Sequence, residues 1–523
     1  MLFVALFYSL ERSAAKHRPP KNSRKCLSIL TGYPRADRLR YVVRLLNQVD
    51  RHHALSAVSQ YDIHVYCDGN CDALRTKFQH VVFHRLRLTT SDTANQSSEL
   101  SNRPLFQRLH RSSDTIELSG VEFQRHRWLY VSQNYRRMLD DIFLSHPISV
   151  TPYQSCVILE DDLVLAPDAL PYLEAAERVM QRDPTIFTGS LFADNSYPLY
   201  ARDPRRFRRV SHFAGLGFIM TRRRYVDEVR RTLWAGLQNW DEQVQKFLQR
   251  RDLVSIVPEI SRALHLRRTT SNSLEQSRPS HPFESQLLSN EILTEYSLDH
   301  LERTAYDRLI VASIQRRQYI QYLADALFFD NVDETVVYFD CKDDEDLHRI
   351  LAARNLWGVG NGGVVRGSYR GSLFFRYYAA QVLIVCKKSD FYSQRQKTRP
   401  VFRSHTKNIT LDGRRVGRRS AGLVYRLTAD FNVVVATRNQ SCEHACSDRK
   451  CDVAGLWLLN ESCDVIGHVI PGCRRCATAS AENYADGVLP GADVEGDRCL
   501  RAYPHYISCE TVSDRYRRFC ACR

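Results

Sequence analysis

Three acids in a row, Glu160-Asp161-Asp162, close a continuous apolar run, Cys156-Val-Ile-Leu159. A run that is apolar at every position reads as a strand buried on both faces, and carboxylates are costly to place at its end for stability alone. In open α/β sheets the carboxyl end of a strand is where ligands bind. Oxygen ligands there suit a hard divalent cation such as Mg²⁺ or Mn²⁺. Cysteine is the second reactive type: ten of the sixteen lie between Cys442 and Cys522. Cys473-X-X-Cys476 and Cys520-X-Cys522 could be zinc ligand pairs, but no second CxxC stands at finger spacing and no HxxxH accompanies them. An even number of cysteines in a short stretch reads instead as a disulfide framework built in an oxidising compartment. Asn-X-Ser/Thr triplets at Asn95, Asn408, Asn439 and Asn460 point the same way.

The elements that must position these groups follow from hydrophobic period. An apolar run over Leu27–Leu30 is followed by a loop, Thr31-Gly-Tyr-Pro-Arg35, and by a helical period through Leu39, Val42, Val43, Leu46 and Val49. A second run, Ile63 to Tyr66, ends at Asp68-Gly69, which completes a β-α-β unit. Residues 89–120 are polar, serine-rich and without period, and read as an inserted loop. A helix is expected from Trp128 to Phe143, with Leu129, Tyr135, Met138, Leu139 and Ile142 on one side. Another starts at Pro167-Asp168 and runs to about Gln181. Asp241, taken by itself, reads as an N-cap for a helix over Glu242–Gln249.

The 523 residues suggest two to four domains, and 43% hydrophobic with 25% charged residues marks a folded chain rather than a disordered one. The formal charge of +15 comes from arginines scattered along the chain, as in Arg202 to Arg209 and Arg222 to Arg224. They lack the aromatics and motif spacing of nucleic-acid modules, so no nucleic-acid partner is expected. The N-terminal run Leu2–Leu10 is shorter than the ~20 residues that cross a bilayer. It reads as the remnant of a signal anchor incomplete in this sequence, the alternative being an ordinary buried segment; residues 11–25 follow as a stem.

The segment Val157-Ile-Leu-Glu-Asp-Asp-Leu-Val-Leu-Ala-Pro-Asp168 resembles the metal-binding segment of the N-acetylglucosaminyltransferase I family, which includes a protein-O-mannose relative. Further matching stretches follow in the same order: Asp194-Asn195, Phe213-Ala-Gly-Leu-Gly217, Trp240-Asp241, Pro258-Glu-Ile-Ser-Arg262, Ala305-Tyr-Asp-Arg308 and Gly367-Ser-Tyr-Arg-Gly371. The likeness covers about residues 26–390 and implies an α/β chain with a GT-A (Rossmann-like) nucleotide-sugar transferase fold. The organisation expected is a truncated signal anchor and stem over 1–25, a GT-A catalytic domain over 26–310 and a small α+β domain over 311–392. A linker over 393–440 and a cysteine-rich, disulfide-stapled module over 441–523 complete it.

The resemblance also implies roles. Asp162 would ligate the metal, Mn²⁺ with Mg²⁺ as an option. Glu160 and Asp161 would lie against the ribose and sugar of the donor, Arg35 and Asp68 near the uridine, and Asp241 would be the general base. The implied reaction moves GlcNAc from UDP-GlcNAc in β-1,2 linkage to a terminal mannose of a glycan on a glycoprotein. The implied place is the lumenal side of a Golgi membrane. Transfer to O-linked mannose, or sugar binding without catalysis on the same scaffold, are the alternatives. Two departures stand out. Glu242 and Gln243 follow Asp241 where the family has a second aspartate and tryptophan. The stretch Arg267–Ser280 is longer than the family's donor-covering loop and lacks its glycine, which leaves Ser271 and Ser280 as candidates for its serine. The tail from Cys442 has no counterpart in N-acetylglucosaminyltransferase I.

Overall fold

The computed structural model describes residues 25–31, 36–55, 61–67, 71–86, 131–145, 153–233, 240–265, 286–339, 364–401, 410–478 and 490–523, together with Cys341, Leu351 and Leu356, apart from breaks of up to five residues inside the longer spans. The expected anchor and stem, the inserted loop over 89–120, Arg35, Asp68, Ser271 and Ser280 lie outside the described residues. In chain order the elements that bear on the site are β1 (Lys25–Leu30), α1 (Ala36–Leu55), β2 (Tyr61–Cys67), β3 (Val81–Arg85), β4 (Ser155–Glu160), β5 (Leu163–Leu165) and α2 (Ala169–Arg182). There follow β6 (Ile186–Ser190), β7 (Phe207–Val210), β8 (Phe218–Thr221), α3 (Trp240–Arg251), β9 (Val254–Pro258), β10 (Ala263–His265) and α4 (Arg303–Arg316). The chain divides into two compact units, residues 1–161 with 219–240 and residues 162–218 with 241–523.

In the first unit β1 pairs in parallel with β2 on one side and with β4 on the other, and β3 continues in parallel beyond β2. The β-α-β reading is met: Val42, Leu45, Leu46 and Val49 of α1 are buried, as is most of β1 and β2. Chain order reverses at β1, so the carboxyl ends of β1 and β4 flank the kind of switch point at which ligands bind in such sheets. Cys26 of β1 stands opposite Cys156 of β4, and the two are bonded.

In the second unit β6 pairs in parallel with β9, and β7 runs antiparallel to β9. The acids are carried onward by a short hairpin-like pairing of β5 with β10, in which His265 faces Leu163 and Ala263 faces Leu165. A smaller five-stranded sheet is built from Gln318–Tyr319, Glu334–Phe339, Ala380–Cys386, Ser372–Tyr377 and Ser368–Tyr369, in that order. Its strands fall within the span 311–392 and belong to the second unit.

The span 393–440, expected to be a linker, contains a helix, α5 (Arg418–Asp430). Ala421, Leu423, Val424 and Leu427 are buried on it. They join a core that runs from Val337, Tyr377 and Ile384 through Trp457 and Leu458 to Phe519 and Cys520. Trp457 also packs against Tyr197 and Tyr200, ring centroids 5.4 and 6.4 Å away. The cysteine-rich tail therefore shares a core with the small sheet, where the sequence suggested a module of its own. A short stretch of chain gains more by burying an apolar helix face than by staying solvated.

All sixteen cysteines are bonded. The ten of the tail pair among themselves, as Cys442–Cys520, Cys446–Cys522, Cys451–Cys509, Cys463–Cys476 and Cys473–Cys499. Glu443, Cys451 and Cys509 come close enough to hold an ion, but both sulfurs are spent on each other. Of the two sequons described, Asn439 is exposed, whereas Asn460 is buried at 4% and has no room for a glycan. Among the described residues no helix is long and apolar enough to cross a membrane.

Candidate functional site

β4 ends where the sequence placed it. Cys156, Val157, Ile158 and Leu159 are all within 1% of full burial, and the backbone turns after Glu160. Asp161 donates its N–H to Leu30 O at 3.1 Å, which ties the acidic turn to the carboxyl end of β1. Glu160 is partly exposed, and its Oε1 accepts the hydroxyl of Tyr135 at 2.6 Å. The Tyr135 ring stacks on Trp240 with centroids 4.0 Å apart, and Trp240 N–H donates to Ser132 Oγ at 3.1 Å. Tyr135 thus connects the acidic strand end to the first residue of the Trp240-Asp241 motif. The sequence placed Tyr135 on an apolar helix face. A buried hydroxyl that must find an acceptor is the signal that would have singled it out.

Helix α3 begins at Trp240, so Asp241 sits inside its first turn rather than ahead of it. The Asp241 carboxylate is partly exposed and accepts from Glu242 N–H at 3.0 Å. Gln245, one turn on, fastens α3 to the Phe213–Gly217 motif by accepting the N–H of Phe213 at 2.7 Å. Gly217 is held at φ 70°, and its carbonyl accepts Leu191 N–H at 2.7 Å; the left-handed backbone explains the glycine.

Asp162 is 1% exposed. Its Oδ2 lies 3.4 Å from His265 Nε2, because the β5–β10 pairing sets the end of β10 beside the residue that precedes β5. That pairing is anchored by a second pair of motif residues. Arg262 and Asp168, both 0% exposed, form a buried ion pair with Arg262 Nη2 3.1 Å from Asp168 Oδ2. Arg262 also donates to Ile260 O at 2.7 Å and to Pro204 O, and its guanidinium lies over Phe207 at 5.0 Å. Tyr296 donates its hydroxyl to the same Asp168 oxygen. Arg262 therefore pairs with Asp168, while Glu259 takes Arg206 and Arg208 instead.

The remaining motifs brace one another in the same unit. Asp194 is bound by Arg366 and lies 3.3 Å from His212. Burial by itself would raise its pKa, but Arg366 and His212 outweigh that and hold the carboxyl well below the usual carboxylate range. Glu259 is held low in the same way: burial opposes ionisation, and Arg208, Arg206 and the backbone N–H groups of Arg202 and Asp203 overcome it. Asp307 of α4 accepts from Tyr369 Oη at 2.8 Å and from Arg370 Nη1 at 2.9 Å, joining the Ala305–Arg308 and Gly367–Gly371 stretches.

A family model described as the GNT-I family matches residues 89–397, more than half of the chain. The Alpha-1,3-mannosyl-glycoprotein 2-beta-N-acetylglucosaminyltransferase of Arabidopsis thaliana is 27% identical over 293 residues, 55% of this chain and 62% of the relative, so this chain spans less than two thirds of that relative's length. Among solved structures, a Drosophila beta-1,4-galactosyltransferase 7 complexed with manganese, UDP-Gal and xylobiose is 11% identical, covering 49% of this chain and 79% of its own at a TM-score of 0.23. Mouse xyloside xylosyltransferase 1 is 13% identical, covering 43% and 77% at a TM-score of 0.22. The α/β, GT-A-type fold rests on strand order and on the acids that end β4, and with the family model spanning the motifs from the acidic strand end to Gly371, the chain belongs to the GNT-I family.

Proposed function

We propose that the protein is an inverting, metal-dependent glycosyltransferase that moves GlcNAc from UDP-GlcNAc to the 2-hydroxyl of a terminal mannose on an N-glycan, in the Golgi lumen. The observation that carries the reading is Asp162, a carboxylate at 1% exposure in the turn after β4 of a GNT-I family chain. A buried carboxylate beside an imidazole nitrogen is a donor set that fits a divalent cation such as Mn²⁺. When bound, the cation supplies Lewis-acid neutralisation of the charge that develops on the departing UDP.

The chain's own groups do the rest. Asp162 would hold the cation. Glu160, steadied by Tyr135, and Asp161, tied to Leu30, would line the donor's ribose and sugar, with Arg35 and Asp68 toward the uridine. Asp241, partly exposed in the first turn of α3, would take the proton from the mannose hydroxyl as it attacks. A single displacement inverts the anomeric centre, so an α-linked donor yields a β-linked product.

The test is to incubate the purified chain with a panel of UDP-sugars and of mannose-terminated N-glycan and O-mannosyl acceptors, with Mn²⁺ or with EDTA, and to read products by mass spectrometry. GlcNAc transfer to the N-glycan that stops in EDTA is expected. Undiminished transfer in EDTA overturns the metal role, and transfer of another sugar, or to the O-mannosyl acceptor alone, overturns the substrate assignment.

A further inference from the structure

We propose that His265 is a second protein ligand to the divalent cation, acting through Nε2 beside Asp162 Oδ2; this rests on the metal-dependent reading above. The two atoms are 3.4 Å apart. That is long for an N–H···O hydrogen bond, which centres near ~2.9–3.0 Å. Two groups at this distance would come to share one ion by closing a few tenths of an ångström, since adjacent ligands at ~2.1 Å from an octahedral cation stand ~3.0 Å apart.

The backbone delivers both groups to this place. Asp162 immediately precedes β5, and His265 ends β10 directly opposite Leu163. Neither strand is free to drift, because Ala166 N–H donates to Arg262 O at 2.8 Å and the buried Arg262–Asp168 pair joins the residues that follow β5 to the one that precedes β10. The His265 side chain keeps 23% exposure against 2% for Asp162, so one side of the pair is open to a phosphate oxygen or water that would complete the coordination.

A mixed carboxylate and imidazole set has a consequence for metal choice. Carboxylate and water ligands alone suit Mg²⁺ and Mn²⁺ alike, whereas an imidazole nitrogen favours transition metals. His265 therefore sets a preference for Mn²⁺ over Mg²⁺. Partners one shell out from a metal already change its affinity by on the order of 10–100-fold, and a direct ligand contributes at least as much.

The experiment measures Mn²⁺ binding to the full chain, with and without UDP, by the loss of the free-ion EPR signal, and reads nitrogen hyperfine coupling to the bound Mn²⁺ by pulsed EPR. In the unmodified protein a directly bound imidazole nitrogen is expected. His265→Ala should abolish that coupling and weaken Mn²⁺ binding by at least ~10-fold, with Mg²⁺ affinity nearly unchanged, so that Mg²⁺ competes more effectively, and with the thermal midpoint preserved. Saturable Mn²⁺ binding that depends on Asp162 but shows no nitrogen coupling in the unmodified protein overturns the role of His265 alone. Binding that survives Asp162→Asn, or no saturable binding at all, overturns the metal reading of the whole site. Because the coupling is read on the unmodified protein, the inference stands or falls even if a variant fails to fold.

Discussion

Replacing Arg262 with methionine tests whether the buried ion pair is the platform of the site. The guanidinium is 0% exposed and holds Asp168, Ile260 O and Pro204 O while lying over Phe207, Tyr172 and Tyr296. Methionine keeps much of the apolar stem's volume but strands the Asp168 carboxylate, which retains only the Tyr296 and Ser289 hydroxyls. Removing one member of a buried pair costs ~3–5 kcal/mol, mostly because the partner is left charged and desolvated. The double replacement Arg262→Met with Asp168→Leu removes both charges and should cost less than the single one. Urea unfolding followed by tryptophan fluorescence supplies the free energies, with a coupling of at least ~2 kcal/mol expected from the cycle. Mn²⁺ binding in the folded single variant should weaken too, since β10 loses its anchor. An Arg262→Met protein within ~1 kcal/mol of the parent, or a double variant worse than the sum of its singles, would show that the pair does not carry this load.

Asp241→Asn should lower kcat by roughly 10²–10⁴ with UDP-GlcNAc affinity nearly unchanged, because a general base acts in the transition state; Glu242→Gln should be mild, as adjacent helix positions point ~100° apart. If the two phenotypes exchange, the base is Glu242. Asp194 and Glu259 have pKa values held below the usual carboxylate range, so the stability they confer is complete above an unfolded-state value of about 4 and is lost as pH falls through it toward the folded-state values. Thermal midpoints should accordingly be flat from about pH 7 to 5 and drop below about 4, with the drop blunted in Asp194→Asn; an equally steep acid limb in that variant contradicts the assignment. The bridges Cys442–Cys520 and Cys446–Cys522 close nearly the same loop, 78 and 76 residues apart in sequence. Either one alone still closes it around the inner Cys451–Cys509 bridge, so chain entropy puts the loss of one at roughly 2 kcal/mol and of both at roughly 5, more than twice as much; simple additivity in paired serine variants would refute this redundancy.

What the sequence by itself determined is whatever is written in short windows. The strand before Glu160, the β-α-β unit over Leu27–Tyr66 and the disulfide character of the tail all depend on neighbours within about 20 residues, where period and composition speak directly. The order of motifs was enough to reveal the family and to nominate Glu160, Asp161, Asp162 and Asp241. Tertiary structure alone decided which residue serves which. Arg262 meets Asp168 across 94 positions, Tyr135 joins Glu160 to Trp240, and Asp307 meets Tyr369 and Arg370. No local pattern encodes such pairs, because a side chain's partner is set by which strands lie side by side. The cysteine pairing was closed to the sequence for the same reason, since ten thiols allow hundreds of connectivities and only the fold brings one set within bonding reach. His265 shows the principle at its sharpest. On paper it is a lone histidine after an arginine motif, and it reaches Asp162 only because β10 lies antiparallel to β5 in a register that puts it opposite Leu163.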